Sequence, residues 1–224
     1  MKFTPNLTKT EFKNGLIAMI VTFFILPNLL AMIPALSVTE LNFYSYSISA
    51  ATAVACLRRY LGRNILAALD HPFATLYFAV LGYLANLVIM QMADYAAYLL
   101  LPDYVNYNNQ AIVVQLSTDL YLMLATTVVL APIVEECVFR GLLFRGLYDR
   151  SPVAAWVASV GLFAAIHVVS FIGVYSPLEL VVSLLMYVPA GVILCVTYRR
   201  SGNIIAPIIT HAVINLMASV AVLR

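Results

Sequence analysis

Apolar positions fall along this chain in seven blocks, approximately 15–36, 42–57, 72–100, 112–147, 152–174, 177–198 and 203–223. Most approach or exceed the roughly 20 apolar residues that a helix needs to cross a hydrocarbon core about 30 Å thick. The pattern therefore predicts an all-α polytopic transmembrane helix bundle of about seven spans. The second block is short and polar, with Tyr44, Ser45, Tyr46, Ser47 and Ser49, so six spans and a re-entrant or interfacial helix is the alternative. The connections between blocks alternate in charge. Lys2, Lys9 and Lys13 precede the first, Arg58, Arg59 and Arg63 follow the second, Arg145 and Arg150 follow the fourth, and Arg199 and Arg200 follow the sixth. The intervening connections, around Glu40, Asp103 and Tyr175, carry no Lys or Arg. Basic connections stay on the cytoplasmic side, which predicts a cytoplasmic N-terminus, seven crossings and an outer C-terminus, with Arg224 as the one exception. The long polar loop, PDYVNYNNQ at 102–110, is expected to be solvated on the outer face rather than to cap the bundle.

Composition sharpens this reading. Of 224 residues, 63% are hydrophobic and 10% charged, too little polar surface for a soluble globule of this length. A net charge of +2 argues against nucleic acid as a partner and leaves the lipid bilayer as the surroundings. Cys56, Cys137 and Cys195 lie in apolar or near-span sequence without a CxxC or metal-ligand spacing, and read as reduced packing residues. The N-terminal block is long, punctuated by proline and without a clear cleavage site, so a retained first span is expected rather than a signal peptide. No repeat or linker divides the chain, and 1–224 is expected to form a single transmembrane domain. Its small size and the lack of a targeting extension favour a prokaryotic plasma membrane.

The chemistry is concentrated where the apolar pattern is broken. The stretch APIVEECVFRGLLFRGL, 131–147, holds Glu135, Glu136 and Arg140 within six residues. Such groups cost at least about 2.5 kcal/mol each at mid-membrane, so they face a bundle interior or a water-filled cavity. Glu136 and Arg140 are spaced i, i+4 with the acid first, the favourable order for a pair on one face. Glu135 is turned about 100° away and has no partner of its own on that turn. One reading makes Glu136 and Arg140 a brace and leaves Glu135 as a base; the other makes all three a helix-locking salt-bridge network. Two later stretches weigh towards the first. His167 ends FAAIH in the fifth block, and His211 begins HAVIN in the seventh, with Asn215 one turn later on the same face. His71, before Pro72, reads as an interfacial residue. Helical rise places Glu135, His167 and His211 about 12 to 22 Å from the basic ends, a similar depth inside an apolar helix, with a site opening towards the cytoplasmic side.

A carboxylate in apolar surroundings beside a His can take a proton from water. A second His and an Asn amide can donate to the oxyanion that results, which together would hydrolyse a peptide bond. Alternatively Glu135, His167 and His211 could hold Zn²⁺ with a fourth position open. HExxH is absent from the chain and Asn is a poor zinc ligand, so direct activation is favoured with no cofactor, and zinc stays possible. Asn86, Gln91, Asp94 and Asp119 are expected to make interhelical hydrogen bonds, and Glu179 to sit at a helix N-terminus. Pro132, just before Glu135, could open that turn to water.

Three motifs in this order, EExxxR (Glu135, Glu136, Arg140), FxxxH (Phe163, His167) and HxxxN (His211, Asn215), resemble those of the CPBP family of intramembrane proteases, which includes the CAAX prenyl endopeptidases and many bacterial Abi proteins. The resemblance is carried by residues 131–215. It implies that Glu135 activates water with His167, that Glu136 pairs with Arg140 to hold the helix, and that His211 and Asn215 stabilise the oxyanion. The family has been described both as metalloproteases and as glutamate-dependent enzymes, so zinc stays open. The expected function is an intramembrane endopeptidase acting on a membrane-associated peptide or protein, through CAAX-type or peptide-precursor processing. The alternative is a non-hydrolytic scaffold or immunity protein that binds a peptide or partner helix.

Overall fold

The computed structural model describes residue 3 and residues 6–222, so Lys2 and Arg224 of the charge pattern lie outside the described residues. Among these residues the chain is helical, with one isolated bridge between Ile172 and Tyr175. We number the helices α1 (Lys9–Leu30), α2 (Val38–Cys56), α3 (Arg58–Asp70), α4 (Pro72–Leu100), α5 (Tyr107–Thr118), α6 (Leu120–Tyr148), α7 (Pro152–Ile166), α8 (Pro177–Ser201) and α9 (Ile205–Val222). Five of them, α1, α4, α6, α8 and α9, are long and apolar enough to cross a membrane, and α7 is a shorter apolar helix.

Local chemistry sets the boundaries. Capping boxes start α1 (Thr8 with Glu11), α2 (Ser37 with Glu40) and α8 (Ser176 with Glu179), each satisfying two backbone donors that a helix start leaves free. Glu11 also reaches across with Oε1 to accept from the Tyr60 amide at 2.7 Å, so one buried carboxylate fixes the starts of two helices. Gly202 ends α8 in the left-handed region, at φ 75°, and Asn203 Oδ1 then accepts from the amides of Ile205 and Ala206 to begin α9.

Three elements differ from the sequence reading. The basic connection after the second block is itself a helix, α3; it turns Tyr60, Asn64 and Ala68 inward and leaves Arg58, Arg59, Leu66 and Leu69 exposed, an interfacial pattern. The fourth block is broken at Asp119, whose carboxylate accepts from the Leu122 amide and restarts the chain as α6. The fifth block stops early, and His167 caps the end of α7 instead of lying within a helix.

The basic connections gather at one end of the bundle. Asn6 contacts both Asp149 and Arg63, Asn64 accepts from the Ile204 amide, and Asn203 donates to Thr75. The Tyr60 and Tyr198 hydroxyls, 2.8 Å apart and buried, join α3 to α8 near that end. At the other end the polar loop is exposed at Pro102, Asp103, Val105, Asn109 and Gln110 and is also tied to the bundle. Tyr175 Oη accepts from the Tyr107 amide and donates to the Val105 carbonyl, and Tyr104 pairs with Ser183. Between the ends, α6 lies against α2, α7 and α9, and α4 packs against α8 and α9.

Candidate active site

Glu135 is sixteenth in the 29-residue α6, near the middle of the rod, and this part of the helix is not regular. Backbone bonding widens to i, i+5 over Ala125–Leu130 and again over Cys137–Arg145, on either side of the two glutamates. Widened turns of this kind are rare and often accompany functional sites. Pro132 accounts for the first. The Ala131 amide already donates to the Thr126 carbonyl, and the next bond in that register would run from residue 132 to Thr127. Proline has no N–H to give. The Thr127 carbonyl is met instead by Asn215 Nδ2 at 2.7 Å, from α9.

Two groups of side chains form around the widened helix. In the first, Glu136 Oε1 accepts from Arg140 Nη1 at 2.8 Å and from His211 Nδ1 at 3.0 Å. Arg140 also donates to the Gly191 carbonyl at 3.1 Å and lies 4.5 Å over the Phe163 ring. Glu136 and Arg140 have no exposed surface. A carboxylate and a guanidinium at that depth persist only when paired and hydrogen-bonded, and α6, α8 and α9 are drawn together by that need.

In the second group, Glu135 Oε1 accepts from Tyr46 Oη at 2.9 Å. Its other oxygen, Oε2, is buried without a hydrogen-bond partner among the described residues. It faces His167 Nε2 at 4.0 Å and His211 Nε2 at 3.9 Å. The far nitrogens set the tautomers: His167 Nδ1 lies 2.8 Å from the Phe163 carbonyl, which only accepts, and His211 Nδ1 lies on the Glu136 carboxylate. Both Nδ1 atoms therefore carry hydrogen, leaving each Nε2 of a neutral ring as an acceptor turned towards Glu135. Phe163 serves both histidines, with ring centroids 4.9 Å from His167 and 5.8 Å from His211. This gives the aromatic position of FxxxH a physical purpose.

The structure thus brings Glu135, His167 and His211 together, with Glu136 and Arg140 directly behind His211. Asn215 is half-buried one turn along α9, with its described side-chain bond to Thr127 rather than to Glu135 or either histidine. His71 is exposed at the start of α4. Two contributors went unassigned in the sequence: Tyr46 from α2, and Tyr187 from α8, which stacks on His167 at 4.4 Å and 18° between planes. Tyr187 Oη donates to Asn106 and accepts from Asn108, so the polar loop reaches the site through this ring.

Zinc would need its donors about 2.0–2.2 Å from the metal, which sets tetrahedral N···O separations at about 3.4 Å. The observed 3.9 and 4.0 Å are wider. Among the described residues no group of three or more His, Cys, Asp or Glu side chains is spaced to hold a metal ion. As placed, the three residues do not fit zinc.

The fold and composition define an integral membrane protein with ionisable groups buried in its helical interior. Residues 117–217, which contain all three motifs, match the family described as type II CAAX prenyl endopeptidase Rce1-like. Over this stretch the chain is similar to the CAAX protease family that its motifs resemble. The similarity supports an intramembrane CAAX-type protease at family level, with a membrane-associated peptide or protein as substrate. Neither the curated proteins nor the solved structures provided a match.

Proposed function

We propose that the protein is an intramembrane endopeptidase whose water is activated by Glu135 and His167 without a metal. The observation that carries this reading is the unpartnered Oε2 of Glu135, facing the Nε2 atoms of two histidines at 4.0 and 3.9 Å. Groups this far apart can both reach one water at about 2.8 Å. In the proposed reaction Glu135 Oε2 takes a proton from that water while His167 Nε2 accepts its second hydrogen bond. The water oxygen attacks the scissile carbonyl carbon. His211, held at Nδ1 by Glu136, donates from Nε2 to the oxyanion in the form that has taken a second proton, at Nε2, from solvent water before the attack. The second N–H of Asn215, the one not used on Thr127, assists. The proton on Glu135 then passes to the leaving nitrogen as the C–N bond breaks.

The same proposal places the basic end of the bundle in the cytoplasm and has the chain cross seven times. The gathered basic connections support this, as does the length of α2, 19 residues or about 28 Å; α7, with 15 residues or about 22 Å, is short of a full crossing on its own. The test is a quantitative profile of new peptide termini in membranes containing wild-type protein or Glu135→Gln at matched abundance. Termini that vanish with Glu135→Gln are expected. Cleavage that persists in the variant would overturn the assignment, and a cellular phenotype independent of Glu135 would favour a binding scaffold.

A further inference from the structure

The polar character of α2 is not spent on solvent. Asn42 donates to Gln115 at 2.7 Å, Ser45 and Ser49 are buried, and Tyr46 reaches Glu135, so positions 42, 45, 46 and 49 form one inward stripe at helical spacing. This stripe lies wholly outside the residues that match the family. Its effect falls on one carboxylate. The terminal torsion of a Glu side chain is broad and roughly two-fold, so a free carboxylate presents either oxygen in many orientations. With Tyr46 Oη on Oε1, the plane is held and Oε2 is the oxygen turned towards both histidines.

We propose that Tyr46 is a positioning residue that assigns distinct roles to the two oxygens of Glu135, and that α2 is a wall of the active site. The inference rests on the proposed hydrolytic reading, since an oriented oxygen matters only if it takes a proton. Tyr46→Phe keeps the ring and removes the donor. In liposomes, with a quenched-fluorescence farnesylated CAAX peptide as probe, it is expected to lower kcat about tenfold, the weight of one charge-assisted hydrogen bond, and to leave KM within about twofold. The thermal midpoint should stay at the wild-type value, separating positioning from loss of fold. A kcat within about twofold of wild type would overturn the proposal.

A second measurement does not depend on cleavage. Dicyclohexylcarbodiimide, a lipophilic reagent that adds through a carboxyl oxygen, would be applied to wild type and Tyr46→Phe, and modification of Glu135 followed by peptide mass. Freeing Oε1 from its donor is expected to speed labelling several-fold, on the order of the same hydrogen bond. Equal rates in the two proteins would overturn the positioning role even if wild type cleaves. Conversely, faster labelling alongside a wild type that cleaves no peptide would sustain the role of Tyr46 and count against the protease reading.

Discussion

Replacing Arg140 with Met tests whether the buried pair in α6 carries the folded state. The guanidinium has no exposed surface; its loss removes the 2.8 Å bond to Glu136, the 3.1 Å bond to the Gly191 carbonyl and the contact over Phe163. The methionine side chain fills much of the same unbranched volume, so the damage is chiefly electrostatic. Glu136 would keep one bond, from His211, around a carboxylate whose second oxygen already has no hydrogen-bond partner among the described residues. Stranding one member of a buried pair costs about 3–5 kcal/mol. The double variant Glu136→Gln, Arg140→Met removes both charges, and Gln Oε1 can still accept from His211 Nδ1. It should therefore recover at least about half of that loss, because an apolar or neutral replacement of a whole pair is far milder than breaking it. Equilibrium unfolding in mixed micelles, by circular dichroism, gives the three free energies. If Arg140→Met lay within about 1 kcal/mol of wild type, or the double variant were less stable than the single, the brace argument would be wrong.

Other expectations follow from the same geometry. Pro132→Ala supplies the N–H that the Thr127 carbonyl lacks, and should release Asn215 and cut cleavage at least about tenfold while keeping the protein folded, as read by activity beside thermal unfolding. A Cβ on Gly82 would press on Thr197 and Thr210, where α4 meets α8 and α9. Gly82→Val should thus cost about 1–3 kcal/mol, and Thr197→Ala in the same chain should restore part of it. Tyr187→Leu removes the ring stacked on His167, and should lower kcat with little change in the yield of folded protein; an unchanged kcat would show that the stack is incidental packing.

Much of the candidate site was visible in the sequence because charge inside an apolar run has so few physical explanations. Glu135, Glu136, Arg140, His167 and His211 stood out on residue type alone, and the i, i+4 spacing anticipated the contact between Glu136 and Arg140. Tyr46 and Tyr187 did not stand out, because tyrosine in a membrane chain is ordinarily an interfacial residue and nothing local marks one that turns inward. The helix α3 was hidden by its arginines, which dominate a positive-inside count and obscure the four-residue spacing of Tyr60, Asn64 and Ala68. The 102–110 segment is exposed at five positions as its composition suggested, but its anchoring was not visible. Tyr104, Asn106, Asn108 and the Tyr107 amide bond to Ser183, Tyr187 and Tyr175, partners some 70 to 80 positions away that nothing local announces. The break at Asp119 is a capping event, in which the carboxylate accepts from the Leu122 amide.

The pinned loop bears on how the topology of this protein can be mapped. A polar, Asn-rich stretch between two apolar blocks is where one would ordinarily place an epitope, a glycan acceptor or a reporter insertion. Here Asn106 and Asn108 grip the ring that backs His167, so an insertion at that point would be transmitted to the site and an inactive fusion would be misread as a misplaced one. The turn between α6 and α7, where Arg150 is exposed and Ser151 merely caps a helix, can carry a tag with less consequence.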